Sequence, residues 1–83
     1  MVEPFQIAKI TRGLTNNDGG GIRIVATPGG SPAQALHLRV GDIITSINGH
    51  PVTSIDDFVR TYREYGLPTN MIVQRDGHEI HVH

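Results

Sequence analysis

Near the C-terminus, Glu79, His81 and His83 alternate with Ile80 and Val82. On an extended strand that spacing puts a carboxylate and two imidazoles on one face, which are donor types of a zinc site. No second segment supplies a converging ligand, and a solvated strand face explains the same pattern, so no metal or cofactor is expected. His37 and His50 stand in turn-forming sequence and add solubility rather than chemistry. Asp56 and Asp57 are consecutive; on a helix they diverge, and they read as first-turn acids that complement the macrodipole. No serine stands in a Gly-x-Ser-x-Gly elbow. Gly19-Gly20-Gly21 leads into a strand rather than a helix and so makes no phosphate cradle. The chain by itself is therefore read as non-catalytic.

The remaining signals shape backbone. Phe5–Thr11 reads as a strand that pairs antiparallel with Ile22–Ala26, across a polar, mobile connection from Gly13 to Gly20 containing Asn17-Asp18-Gly19. Pro28-Gly29-Gly30 ends the second strand. Ser31 then caps a short helix over Pro32–Leu36, with Pro32 at the first helical position and Gln34 at capping-box spacing. Leu38 opens a corner at Gly41-Asp42, where glycine avoids a Cβ clash and the carboxylate accepts backbone amides. Ile43, Ile44 and Ile47 form a strand ending at the Asn48-Gly49 turn. Ser54 caps a longer helix whose Ile55, Phe58, Val59, Tyr62 and Tyr65 recur at helical spacing, and Gly66 and Pro68 stop it. Asn70–Arg75, Asp76-Gly77 and His78–His83 read as a hairpin on a two-residue turn. The predicted order is β-β-α-β-(short β)-α-β-β.

Eighty-three residues make a single domain, 1–83. The formal net charge is −1 and the seven Lys and Arg are scattered, which argues against a nucleic-acid partner. With no cysteine there is neither a disulfide framework nor a thiolate zinc site. No apolar run approaches the roughly 20 residues that span a bilayer, so direct membrane insertion is not expected. Met1-Val2-Glu3-Pro4 lacks the basic and apolar regions of a signal peptide.

Gly21-Ile22-Arg23-Ile24-Val25-Ala26-Thr27-Pro28-Gly29-Gly30-Ser31-Pro32-Ala33, followed by Leu38-Arg39-Val40-Gly41-Asp42-Ile43-Ile44-Thr45-Ser46-Ile47-Asn48-Gly49, resembles the paired motif of a PDZ domain over Gly21 to Arg75. The resemblance implies an α+β fold: a partly open antiparallel β-barrel or sandwich of five to six strands capped by two helices. The full strand after Gly77 resembles the bacterial, circularly permuted type, and His37 stands where the family usually has a left-handed glycine. Such domains bind an extended or C-terminal peptide segment by β-strand addition. By resemblance, the carboxylate-binding loop falls on Val2-Glu3-Pro4-Phe5 and the receiving strand on Phe5–Ile10. Peptide contacts then fall on Pro4, Phe5, Gln6, Ile7 and Ala8, with Ile55, Val59 and Tyr62 on the long helix. Pro4 lacks an N–H and Glu3 repels an anionic terminus, so internal segments compete with C-terminal ones. Ile55, Val59 and Tyr62 either line the groove or pack into the core, whereas Phe58 and Tyr65 are expected in the core.

The resemblance further implies a module excised from a larger protein and monomeric in isolation. Substrate recognition or regulation in a periplasmic or otherwise extracytoplasmic bacterial protease is the expected setting. The alternative is an assembly module such as the C component of type II secretion, which makes domain–domain contacts.

Overall fold

The computed structural model describes residues 4–66 and 68–83. Short apolar segments separated by glycine turns build the sheet, and three helices pack around it. In chain order these are α1 (Pro4–Thr11), β1 (Leu14–Asn16), β2 (Ile22–Ile24), α2 (Pro32–Ala35), β3 (Ile43–Ile47), β4 (His50–Pro51), α3 (Ile55–Tyr65), β5 (Met71–Arg75) and β6 (His78–Val82). The strands run β1-β2-β3-β5-β6 across the sheet with β4 paired to β3, every pairing antiparallel. This six-stranded open sheet bears out the expected α+β class, with one helix more than the sequence implied.

The extra helix is the main correction. Phe5–Thr11 is not a strand: it lies within α1, and the first strand comes from the segment expected to be a loose connection. Proline is tolerated in a first helical turn because its missing N–H has no intrahelical partner there. Gln6, Ala8 and Lys9 follow, all good helix formers, and Lys9 in the last turn complements the negative end of the dipole. Gly13 then stops the helix at φ +77°, and its carbonyl accepts from Val25 N (2.7 Å) and Ala26 N (3.2 Å). Released from the helix, Leu14–Asn16 pairs with Ile22–Ile24, and Asn17 closes the turn by accepting from Gly20 N and donating to the Gly21 carbonyl.

Ile22, Ile24, Ile44, Ile47, Val52, Phe58, Met71 and Val73 form the core, joined by Ile10 from α1, Ala33 from α2, and Leu38. Phe58, the largest wholly buried side chain, anchors α3 to the sheet. Ser54 caps that helix through its hydroxyl, which accepts from Asp57 N at 3.4 Å. Tyr65, expected in the core, is instead 53% exposed. It is the last residue of α3, and its ring stacks on His50 of β4 with centroids 4.3 Å apart.

The corner between α2 and β3 is held from two sides. His37 adopts the left-handed conformation at φ +58°, where the family usually has glycine. Gly41 turns at φ +95°, but a Cβ there would meet nothing within 4 Å, so its backbone conformation rather than a clash requires glycine. Asp42 is buried. It accepts from Arg39 N at 2.9 Å, as expected, and also pairs with Arg75 of β5 through Nε at 3.0 Å and Nη2 at 2.7 Å. Burial pushes the Asp42 carboxyl up, but the Arg75 hydrogen bonds, the Arg39 amide and the two guanidinium charges together hold it below the ordinary carboxylate value.

Candidate functional site

Strand β1 lies at one end of the sheet, so one side of its backbone is paired with β2 and the other carries no strand among the described residues. Val25 N donates to the Gly13 carbonyl, Thr15 stands opposite Arg23, and Asn17 N donates to the Gly21 carbonyl. Because antiparallel ladders alternate every residue, Gly13, Thr15 and Asn17 face β2. The N–H and C=O groups of Leu14 and Asn16 therefore point to the open edge.

Helix α3 packs beside this strand. Its first amide, Ile55 N, donates to Asn16 Oδ1 at 2.8 Å and ties the end of β1 to the start of the helix. The approach to the helix is fixed as well: Gly21 N donates to the Thr53 carbonyl, and the Asp57 carboxylate accepts from Thr53 N at 2.8 Å and Thr53 Oγ1 at 2.6 Å. The Thr53 hydroxyl, then its amide, hold the Asp57 carboxyl below its usual range. The result is a strand edge beside a rigidly capped helix, the arrangement an extended peptide needs in order to add as a further strand.

On the helix side, Ile55, Val59 and Tyr62 fall at i, i+4 and i+7 and share one stripe. Ile55 and Tyr62 are half-buried and pack against the core. Val59 is half-buried and also borders an open concavity of about 600 Å³ lined by Asp56, Arg60, Arg63 and Glu64. On the strand side the expectation is corrected. Pro4, Phe5, Gln6, Ile7 and Ala8 lie in α1, and a helix satisfies its backbone groups internally and offers no strand edge. Val2 and Glu3 of the expected carboxylate loop lie outside the described residues.

The candidate edge that sequence reasoning missed is Leu14–Asn16, with Arg12-Gly13 leading into it. A signal was present. Strands of a tight hairpin abut their turn, and Leu14-Thr15-Asn16 abuts Asn17–Gly20 directly, whereas Phe5–Thr11 stands off from it. Leu14 packs toward the core while Thr15 is exposed, as strand alternation requires.

At the other end of the sheet, His81 Nε2 lies 3.1 Å from Glu79 Oε2 on an exposed face of β6. Among the described residues no three metal-ligating side chains converge.

No curated protein sequence matches the chain. Among solved structures, the crystal structure of the HtrA3 PDZ domain bound to a phage-derived ligand, FGRWV, superposes with a TM-score of 0.62 at 20% identity. The match covers 83% of this chain and 73% of that one. The family model described as PDZ domain matches residues 24–75, more than half of the sequence, running from the end of β2 through the Asp42 corner and α3 to Arg75. The chain belongs to the PDZ domain family.

Proposed function

We propose that this domain is a non-catalytic module that captures an extended peptide segment by strand addition between β1 and α3. The observation that carries the reading is the open backbone edge of Leu14 and Asn16 beside the Ile55–Tyr62 stripe. Backbone hydrogen bonds along β1 supply affinity, and the apolar stripe selects apolar side chains. The HtrA3 PDZ domain, similar in fold, holds a short peptide ligand, which supports the same use here. We further propose that the parent is an extracytoplasmic bacterial protease, in which the domain recognises or gates substrate. That setting rests on the permuted arrangement, in which β6 follows β5 at the C-terminal end.

One observation favours the second reading, an assembly module of type II secretion. Strand β1 has only three residues and α1 runs almost directly into it, which leaves a short docking edge.

Titrating the domain with a library of apolar C-terminal and internal peptides, followed by amide chemical shifts, separates the two. The peptide-capture reading expects shifts on Leu14–Asn16, Ile55 and Tyr62, with affinity about micromolar or weaker for so short an edge. Shifts on another face, or none with any peptide, refute it and favour assembly.

A further inference from the structure

Strand β6 forms the opposite end of the sheet, and its outer edge carries no strand among the described residues. The two-residue turn at Asp76-Gly77, with φ +53° and +79°, makes Arg75 and His78 a hydrogen-bonded pair. By alternation Val73↔Ile80 and Met71↔Val82 are hydrogen-bonded too. The backbone groups of Glu79 and His81 consequently face outward. The strand has five residues, with no proline, no lysine and no bulge in its pairing with β5.

We propose that, against the expectation of a monomer, this edge pairs with β6 of a second copy of the chain, antiparallel about a two-fold axis at Ile80. Three features select this occupant and register. The outward amides on each copy belong to Glu79 and His81, and the two-fold at Ile80 sets Glu79 of one copy against His81 of the other, so both exchange backbone hydrogen bonds. The same register places carboxylate against imidazole twice, a pairing that is self-complementary only under two-fold symmetry. Shifting the axis to Glu79 would instead oppose two carboxylates. On the other face Ile80 meets its own copy beside the half-buried Val82. The 3.1 Å contact of Glu79 with His81 within one strand shows that the two groups already lie at interacting height above the sheet. This surface is the far end of the sheet from β1, so peptide capture and self-pairing are compatible, and neither depends on the other.

Sedimentation velocity of the 83-residue chain up to near-millimolar concentration tests the proposal. The expected result is a weight-average mass rising toward twice that of the chain. Glu79→Lys, which sets ammonium against imidazole, weakens association by about ten-fold or more. Exchanging the pair (Glu79→His with His81→Glu) restores it, because the two-fold remains complementary. Both positions are exposed, and circular dichroism melts matching the wild type establish that the variants are folded. A mass that stays at one chain, a dimer indifferent to Glu79→Lys, or a charge exchange that fails to restore association overturns the proposal.

Discussion

Replacing Asp42 with alanine is expected to cost about 3 kcal/mol, a large part of the roughly 4–12 kcal/mol that stabilises a domain of this size. The estimate follows from what is lost. Two charge-assisted bonds to Arg75 disappear, at 3.0 and 2.7 Å, together with the partner of the Arg39 amide. Bonds to charged groups contribute about 1.5–3 kcal/mol each, and an unmet backbone amide costs about 1 kcal/mol or more. The sum is discounted because the Arg75 side chain is 19% exposed and keeps access to water, whereas that of Asp42 is 2% exposed. Urea unfolding followed by far-UV circular dichroism measures the loss, which corresponds to a fall in Tm of about 15 °C. Arg75→Gln strands a buried carboxylate and should cost as much, and the double variant should cost clearly less than the two single losses added together.

Acid supplies the discriminating arm. The Asp42 carboxyl is held below its ordinary value in the folded chain. Its contribution is therefore fully present above the unfolded value near pH 4, and is lost as pH falls through the lower folded value. Asp42→Asn does not titrate there, so the stability gap between wild type and this variant should narrow from pH 7 to about pH 3. A gap below about 1 kcal/mol at neutral pH, or one that stays constant on acidification, refutes the account of the corner.

Gly13→Ala and Gly41→Ala share a strained positive φ, but only at Gly13 would the new Cβ collide with backbone, at the Ala26 carbonyl. Urea melts should show about 3 kcal/mol lost at Gly13 against about 1 kcal/mol at Gly41, and equal losses would contradict the placement of Gly13 against the Ala26 carbonyl. His37→Gly relieves a left-handed non-glycine residue at φ +58° and should raise Tm slightly, by the equivalent of about 0.5–1 kcal/mol. Truncation after Gly77 removes the strand that pairs along all five residues of β5 and should abolish cooperative unfolding; a preserved sharp melt would show that β6 is dispensable.

What could be read in advance was chemistry that acts over a few residues. Ser54 caps its helix, Asp76-Gly77 forms its turn and Asp42 accepts the Arg39 amide, because each outcome is set by groups within about four positions of one another; the left-handed His37 was legible only through the family resemblance. The Asp42–Arg75 pair spans 33 positions, and nothing local in either residue announces the other. The N-terminal segment failed for a different reason. Phe5 and Ile7 satisfy strand alternation while Ile7 and Ile10 satisfy helical spacing, so a run of this length carries both periods and its pattern cannot decide between them. The decision lay at its ends, in a proline tolerated in a first helical turn and a glycine that stops the last.

That misreading matters for function because it moves the receiving edge by one element. The helix side of the proposed groove does not depend on it, since Ile55 and Tyr62 are placed by the Ser54 cap and the Phe58 anchor, independently of what precedes β1. The strand side does not. With Pro4 inside α1, its missing N–H removes no donor from the edge that a peptide would meet, so the argument from Pro4 against a C-terminal ligand falls away. What precedes β1 in the chain is instead the C-terminal end of α1, whose negative dipole end disfavours a carboxylate, with Lys9 and Arg12 close in sequence, whose charges attract one. A peptide added antiparallel to β1 would bring its C-terminus to this point. Amidating that terminus weighs the two effects directly: a large loss of affinity assigns the outcome to the two cations, and a gain assigns it to the helix end.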